Sequence, residues 1–325
     1  MTVQEAADRG DVFVPHGFDE QTVDLGEVRM NYATAGEESS PALLLIPGQS
    51  ESWWGYEAAM PLLAEHFRVY AVDLRGQGRS TWTPGRYTID NFGNDLVRFI
   101  DLAIGRETLV SGLSSGGVLS AWLSAYAKPG QVRAAVWEDP PLFACQTTPA
   151  IGPGIRQAIG PVFEAWNTWL GDQWKVGDWD GLMRAMPTAL PPEILRAMAS
   201  MIPPPDPDAY PPAGQNLREY DPEWGRAFTS GAATASCDHV TMLRQVRVPV
   251  LFTHHFRTVD EQTGRLIGAS TDQQARRVRD LVAEAGQRID YRSFPEVPHS
   301  MHEHAPKLYV EAVLDFVATL DQETP

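Results

Sequence analysis

A serine flanked by glycines lies between a predicted strand and a predicted helix. The segment Gly112-Leu113-Ser114-Ser115-Gly116 has the pattern G-x-S-x-G. In this pattern a tight turn projects the serine hydroxyl above the sheet, and small residues two positions away on either side leave room for the turn. The next backbone N–H, that of Ser115, then points into an oxyanion hole at a helix N-terminus. Ser114 is the candidate nucleophile, and a glycine-rich turn without chemistry is the alternative.

A histidine-rich loop near the C-terminus supplies a candidate base. His299 follows the last predicted strand and precedes the last predicted helix, so it can fold back onto a serine placed earlier in the sheet. We expect its imidazole to take the Ser114 proton and to return it to the leaving group. We expect His302 and His304 to belong to a solvated helix start. A metal site of all three histidines is the alternative, although no cysteine or carboxylate cluster accompanies them.

Three carboxylates are candidates for the group that orients the histidine. Glu138 and Asp139 end the strand that follows the nucleophile, and they point to opposite faces if that strand continues. Asp260 follows a later strand, 248–253, which is the commonest place for the acid of such a triad. We take Glu138 as the triad acid and keep Asp139 and Asp260 as alternatives.

The loop after the predicted strand 42–46 reads PGQS and is a candidate for the rest of the oxyanion hole. Gly48 lets the backbone approach a substrate oxygen closely. One N–H, from Gly48 or Gln49, would join that of Ser115 in holding the oxyanion. An ordinary turn between a strand and a helix is the alternative. We expect a second loop at the same sheet edge, 73–80, to brace its neighbours.

Alternating strands and helices must position these residues. Short apolar runs predict buried strands at 42–46, 67–72, 108–111, 132–137, 248–253 and 288–294. Amphipathic stretches predict helices at 56–65, 89–104, 117–126, 272–285 and 306–320. This alternation indicates an α/β protein with a mostly parallel sheet and helices on both faces. An antiparallel pair within 23–32, turning at Gly26, is expected at its edge.

The alternation stops at Pro140 and resumes near Val248. Ten prolines lie between Pro187 and Pro222, and five of the ten tryptophans lie in the same interruption. Because linkers rarely carry so many large apolar groups, we predict an inserted helical cap, residues 140–247, on a core domain of residues 1–139 and 248–325. A proline-rich linker between two domains is the alternative. Broad aromatic faces in such a cap favour a pocket for a bulky, flat, apolar ring.

Composition excludes several classes of function. Lys+Arg is 26 and Asp+Glu is 42, a net charge of −16, which repels nucleic acid. The longest apolar runs are too short to span a membrane, and residues 1–10 lack the apolar core of a secretory signal. Two cysteines, Cys145 and Cys237, cannot form a disulfide framework. We therefore expect a cytoplasmic protein with a small-molecule substrate.

With these residues assembled, the chain resembles the α/β-hydrolase superfamily over almost its full length. More narrowly, it is similar to the zearalenone lactonases, especially the longer actinobacterial type. The stretches that carry the resemblance are 52–54 (SWW), 73–84 (DLRGQGRSTWTP), 91–100 (NFGNDLVRFI), 114–117, 121–126, 138–140, 170–174 (LGDQW), 216–228 (NLREYDPEWGRAF) and 253–258 (THHFRT). The last two are not generic to the superfamily.

The resemblance implies an eight-stranded α/β-hydrolase core and cofactor-free, metal-free hydrolysis of the ester of a macrocyclic resorcylic lactone, the mycotoxin zearalenone being the example. It implies Ser114, Glu138 and His299 as the triad, in the chain order serine, acid, histidine. It also implies that Trp224 lies against the substrate and that the chain forms a homodimer. The proline-rich stretch 190–214 departs from the family's pattern, which leaves the exact substrate open.

Other functions share this expected fold. A general carboxylesterase or a carbon–carbon bond hydrolase would also use a serine nucleophile. Haloalkane dehalogenases and epoxide hydrolases need an aspartate nucleophile, and position 114 is serine. Outside the enzymes, a hydrolase-fold receptor would bind a ligand tightly and turn it over slowly.

Overall fold

The computed structural model describes residues 12–170, 178–195 and 214–321. Residues 1–10, residues 171–174 of the stretch LGDQW and residues 196–213 of the proline-rich stretch 190–214 lie outside these ranges. Within the described ranges, no helix is both long enough and apolar enough to cross a membrane.

The described residues form an eight-stranded sheet and a separate two-stranded hairpin. The strands are β1 Glu20–Asp24, β2 Arg29–Ala35, β3 Ala42–Ile46, β4 Arg68–Val72, β5 Thr108–Leu113, β6 Val132–Glu138, β7 Val250–His254, β8 Arg257–Val259, β9 Leu266–Gly268 and β10 Ile289–Ser293. The large sheet has the order β1-β2-β4-β3-β5-β6-β7-β10. Only the pairs β1–β2 and β2–β4 are antiparallel within it, and β8 and β9 form the hairpin. The predicted mostly parallel sheet with an antiparallel edge is confirmed.

The five helices that the apolar periodicity predicts are all present, and further helices lie between β6 and β7 and just before the last helix. They are α1 Met60–Ala64, α2 Ile89–Phe99, α3 Ser115–Tyr126, α4 Arg156–Trp169, α5 Trp179–Ala189, α6 Gln215–Arg218, α7 Glu223–Ser230, α8 His239–Leu243, α9 Asp272–Glu284, α10 Met301–His304 and α11 Pro306–Asp321. The helix predicted at 56–65 is shorter than expected, because a 3₁₀ turn at Trp53–Tyr56 precedes it and α1 begins only at Met60. Pro61 lies in the first turn of α1, where a missing N–H costs no hydrogen bond.

The central strand β3 is buried on both faces, and its side chains divide between two apolar cores. Leu44 and Ile46 pack into the core that includes residues of α2, α3 and α9. Leu43 and Leu45 pack into the opposite core, with residues of α1 and α11. Since successive strand residues point to opposite faces, this division confirms that helices cover both faces of the sheet.

The chain between β6 and β7 contributes five helices, α4 to α8, and no strand within its described part. Phe163 of α4 and Phe228 of α7 meet edge to face at 5.3 Å between ring centroids, and both belong to the same core as α2 and α3. Cys145 and Cys237 of this segment are buried free thiols.

The parallel strands β3, β5, β6, β7 and β10 all end at the same edge of the sheet. Ligand sites of open α/β sheets lie outside the carboxyl ends of such strands. Ser114, Asp139 and His299 follow β5, β6 and β10 at this edge, and Glu138 is the last residue of β6.

Candidate active site

Ser114 occupies a strained turn between β5 and α3. Its backbone has φ 55° and ψ −117°, a conformation that costs a non-glycine residue on the order of 1–3 kcal/mol. A Cβ at Gly112 would lie 2.2 Å from the carbonyl oxygen of Gly116, and one at Gly116 would lie 2.3 Å from that of Ile46. The two glycines of the motif are therefore required by close backbone contacts that hold the serine in place.

Asp139 is the carboxylate that contacts His299. Its Oδ2 lies 2.6 Å from His299 Nδ1, and its Oδ1 accepts the backbone N–H of His255 at 3.0 Å. A carboxylate only accepts hydrogen bonds, so His299 Nδ1 carries the proton and Nε2 is left as the basic nitrogen. The Asp139 side chain is fully buried, while His299 is 30% exposed and lines the same cavity as Ser114.

Glu138 was expected to orient His299, and the structure places it elsewhere. Its Oε2 lies 2.8 Å from Nδ1 of His302. Its Oε1 accepts the backbone N–H groups of Met301 and His302 at 2.8 and 3.0 Å. The expected contact is corrected to Asp139, because the strand ends at Glu138 and Asp139 turns away with φ 42°.

His302 is buried, contrary to the solvated helix start that the sequence suggested. Its ring stacks on Tyr56 at 3.8 Å between centroids, and its side chain is 0% exposed. The hydrogen bonds of Glu138 to the N–H groups of Met301 and His302 fix the first turn of α10, just beyond His299. Within the described residues, no group of three or more potential ligands could hold a metal ion.

His255, which follows β7, is a positioning residue. Its Nδ1 donates to the carbonyl oxygen of His299 at 2.8 Å, and its Nε2 accepts from the Thr253 hydroxyl at 3.0 Å. The backbone N–H of His255 also donates to Asp139. These hydrogen bonds position both the Asp139 carboxylate and the loop that carries His299. The signal in the sequence was only a pair of histidines after a strand.

Asp260, the third candidate acid, begins the turn between β8 and β9. Its Oδ1 accepts the backbone N–H of Thr263 at 2.7 Å and the Thr263 hydroxyl at 2.6 Å. These contacts are those of a turn residue, and they tie the Asp260 carboxylate to its own hairpin turn. His304, at the end of α10, lies 3.9 Å from Glu303 and is partly exposed.

The two histidine–carboxylate pairs favour the charged forms of their members. Burial alone would raise the pKa of Asp139, but the His299 hydrogen bond and the nearby His255 lower it below its ordinary value. Burial likewise opposes ionisation of Glu138, yet His302 lowers the pKa of that carboxyl. Conversely, burial disfavours the charged imidazole of His299, and Asp139 nonetheless raises its pKa. A base with a raised pKa is a stronger proton acceptor once it is neutral.

The expected oxyanion-hole residues surround Ser114. Gln49, Ser114 and Ser115 line one cavity, and Ser115 begins α3, so its N–H lies at a helix N-terminus. The Ser115 hydroxyl oxygen is buried and has no hydrogen-bond partner among the described residues. The Gly48 N–H, however, donates to Oε2 of Glu51 at 3.0 Å. Sequence reasoning missed Glu51.

The cavity over these residues has a volume of about 430 Å³. Its walls are mostly apolar and come from both the sheet edge and the inserted segment, including Val118, Phe163, Trp166, Trp224, Phe228 and Leu266. Polar groups gather at its floor, where Ser114, His299 and Glu51 lie. No lysine or arginine lines the cavity in the part of the chain that the structure describes.

Trp224 forms part of this wall from the first turn of α7. It is 2% exposed, its ring lies 4.5 Å from that of Phe92, and it also packs on Tyr87 and Tyr220. Trp224 therefore lines the cavity, and its contact with a substrate stays a prediction.

The residues before Trp224 tie the inserted segment to the sheet edge. Glu219 accepts from the Ser52 hydroxyl at 3.0 Å and from Trp54 Nε1 at 3.1 Å. The Tyr220 hydroxyl accepts from Gln49 Nε2 at 2.7 Å, and the Asp221 N–H donates to the carbonyl oxygen of Gly76 at 2.8 Å. This part of the insertion is therefore held by buried and partly buried hydrogen bonds.

Asp73 holds the second loop of the edge in the bracing role expected for it. Its oxygens accept from the backbone N–H groups of Trp53 and Arg79 and from Asn31 Nδ2, at 2.8, 3.0 and 2.8 Å. Burial raises its pKa to about 7. A Cβ at Gly78, which has φ 50°, would lie 2.1 Å from this carboxylate, so the loop requires glycine there.

Comparison with known proteins places the chain among hydrolases. The model of the alpha/beta hydrolase family matches residues 43–312. The bifunctional epoxide hydrolase 2 of Sus scrofa is 32% identical over 140 residues, 42% of this chain and 24% of that protein. The 3-oxoadipate enol-lactonase 2 of Acinetobacter baylyi is 31% identical over 107 residues, 32% of this chain and 39% of that enzyme. The chain thus matches less than two fifths of the length of these curated relatives.

A solved structure matches at the level of the whole fold. The enol-lactonase from Burkholderia xenovorans LB400 superposes with a TM-score of 0.64 at 18% identity, and the match covers 92% of this chain and 100% of that one. The sheet order, the glycine-framed serine and the matched family model agree with one another. The chain belongs to the alpha/beta hydrolase family.

Proposed function

We propose that this hydrolase cleaves carboxylic esters through an acyl-enzyme, with Ser114 as nucleophile, His299 as base and Asp139 as the acid that orients it. One observation carries the proposal: Ser114 and His299 face one cavity, and the Nδ1 of His299 lies 2.6 Å from a fully buried carboxylate. Such a buried acid fixes the imidazole tautomer and stabilises the imidazolium that forms during attack.

In the first step, His299 Nε2 accepts the proton of the Ser114 hydroxyl while the oxygen attacks the ester carbonyl. The resulting oxyanion accepts hydrogen bonds from the backbone N–H groups of Ser115 and of Gly48 or Gln49. The alcohol of the ester leaves with the proton held by His299. In a lactone that alcohol stays attached to the acyl chain.

In the second step, His299 removes a proton from water, which attacks the acyl group on Ser114. The serine leaves with that proton, and the product is a carboxylic acid, or a ring-opened hydroxy acid from a lactone. Ser114, Ser115 and His299 line the cavity, and Asp139 acts through its contact with His299. No metal or organic cofactor is used in either step.

The cavity supports a bulky and uncharged substrate. Its volume of about 430 Å³ and its aromatic walls suit a flat apolar ring, and we propose a macrocyclic resorcylic lactone of the zearalenone kind. We propose residues 140–247 as the cap that supplies these walls. The enol-lactone of 3-oxoadipate, for which the Acinetobacter relative is named, keeps one free carboxylate, and no lysine or arginine of the described cavity wall could pair with that charge.

Epoxide hydrolysis is a weaker candidate despite the porcine relative. That chemistry, as considered above, needs an aspartate nucleophile, and Ser114 occupies the position at the top of β5. A serine hydroxyl activated by histidine is suited to acyl transfer. The comparison therefore supports the fold and the general class of reaction more than the epoxide substrate.

The test is hydrolysis of zearalenone beside a panel of small aryl esters, for the parent enzyme and for Ser114→Ala. We expect the parent to cleave the lactone and Ser114→Ala to lose essentially all turnover with an unchanged circular dichroism spectrum. Ser230→Ala, at an exposed serine of α7, is the matched control and should keep the parent rate.

Two results would change the proposal. Turnover by Ser114→Ala above a few per cent of the parent rate would refute the nucleophile. Cleavage of the small esters without the lactone would reduce the enzyme to a general carboxylesterase. A homodimer and a cytoplasmic location stay predictions, the first open to analytical ultracentrifugation.

A further inference from the structure

Glu51 is an acidic residue in the catalytic cavity that the proposed mechanism does not use. Its Oε2 accepts the Gly48 N–H at 3.0 Å, and its own N–H donates to the carbonyl oxygen of Gly48 at 3.3 Å. Ser50, within this tight turn, has φ 67°. The turn directs the carboxylate back onto one of the N–H groups expected to bind the oxyanion.

The same carboxylate lies beside the nucleophile. The point where a Cβ of Gly48 would sit is 3.1 Å from Glu51 Oε2 and 3.5 Å from Ser114 Cβ. Glu51 lines the cavity together with Ser114 and His299. A substrate carbonyl that approaches Ser114 and the Gly48 N–H must therefore enter the space that this carboxylate occupies.

The surroundings of Glu51 leave its charge only partly compensated. Burial raises its pKa, His302 and His299 act in the opposite direction, and Glu303 adds to the effect of burial. No arginine or lysine of the described cavity wall pairs with it. Above its pKa, Glu51 therefore places a negative charge where the acyl group of the substrate must bind.

We propose that Glu51 determines specificity by excluding acyl groups that carry a negative charge. In the free enzyme its carboxylate accepts the Gly48 N–H, and the carbonyl oxygen of the substrate replaces it as the acceptor. The inference rests on the proposed ester hydrolysis and adds a substrate class to it. The same charge repels the carboxylate product after hydrolysis, since like charges at close range in a poorly solvated site repel strongly.

The experiment compares two esters of nearly equal size, p-nitrophenyl butyrate, which is neutral, and mono-p-nitrophenyl succinate, which carries a carboxylate. The variants are Glu51→Gln and the matched control Glu303→Gln. Both remove one negative charge from the same region, but Glu303 is exposed, and it is Glu51 that accepts the Gly48 N–H. Thermal unfolding is measured for each, and Glu51→Ala replaces Glu51→Gln if the amide variant unfolds early.

In the parent we expect a strong preference for the neutral ester in kcat/KM. Glu51→Gln should reduce that preference by about tenfold or more, because a unit charge at contact distance has been removed, and Glu303→Gln should retain it. The acid limb of the pH profile should also move to lower pH in Glu51→Gln, because Glu51 helps to raise the pKa of His299.

In Glu51→Gln, an unchanged preference for the neutral ester and an unchanged acid limb, with the neutral ester still cleaved, would overturn the role of Glu51. The proposed ester hydrolysis would stand. An equal fall in kcat/KM for both esters in Glu51→Gln, with an unmoved acid limb, would also overturn the proposed specificity role. Glu51 would then be needed for turnover of any ester. Failure of the parent to cleave either ester, with no acylation of Ser114, would overturn the proposed function and this inference together.

Discussion

The double contact of the Asp139 carboxylate makes Asp139→Asn a specific perturbation. Oδ1 accepts the His255 N–H at 3.0 Å, and Oδ2 accepts from His299 Nδ1 at 2.6 Å. In an asparagine only the oxygen can accept the backbone N–H, so the NH₂ group must face His299. That group donates to Nδ1 and shifts the ring proton to Nε2, the nitrogen that must accept the Ser114 proton.

The magnitude follows from the tautomer. The same replacement in a serine protease triad lowers kcat by about 10⁴-fold, and each factor of ten corresponds to about 1.4 kcal/mol of barrier. We expect a loss of this order for Asp139→Asn. The structure also supplies a matched control in Glu138→Gln, whose amide would face His302 in the same way.

His302 is stacked on Tyr56 and is not among the residues that line the cavity. Glu138→Gln should therefore keep kcat within about tenfold of the parent. Its buried charged hydrogen bonds are weakened, which should lower the free energy of unfolding by about 1–3 kcal/mol. Asp139→Asn should lose rate far more than Glu138→Gln does, and this contrast separates the two carboxylates.

The assay is kcat for p-nitrophenyl butyrate and for zearalenone, with folding checked by circular dichroism and thermal unfolding. A loss of about 10⁴-fold in folded Glu138→Gln, with Asp139→Asn close to the parent, would refute the assignment and restore Glu138 as the triad acid. Equal small losses would mean that neither carboxylate orients the base.

The remaining predictions concern pH and the cavity wall. Because Asp139 raises the pKa of His299, kcat/KM should rise with pH through a value above the ordinary 6.5, and an acid limb below 6.5 would contradict this. The lowered pKa values of Glu138 and Asp139 stabilise the folded protein above pH 4.5. The raised pKa values of His299 and His302 stabilise it below pH 6.5. The free energy of unfolding from both pairs should thus be largest between these values and should decline outside them in urea titrations. Trp224→Ala should lower the free energy of unfolding by about 3–5 kcal/mol. It should also raise KM for the lactone more than KM for p-nitrophenyl acetate. Equal changes in the two KM values would place Trp224 away from the substrate.

Local sequence patterns were enough to predict the tight turn at Ser114 and the sheet. Close backbone contacts at Gly112 and Gly116 require glycine on either side of Ser114. The sequence motif therefore indicates the geometry of the turn directly. The apolar runs predicted the central strands to within a few residues because strands buried on both faces, such as β3, must be continuously apolar. His299 was found for a similar reason, since the loop after the last strand ends at the same sheet edge as Ser114.

Only the tertiary structure decided which carboxylate meets which histidine. Glu138 and Asp139 are neighbours in the chain, and the choice between them depends on the backbone turn at Asp139, with φ 42°, and on the N–H of His255 in the connection between β7 and β8. The contact of Glu51 with Gly48 depends likewise on a turn whose central residue has positive φ. The sequence by itself determined the chemical types present at the sheet edge and their order along the chain. The pairing of those groups was decided by contacts between segments distant in sequence, which no local pattern encodes.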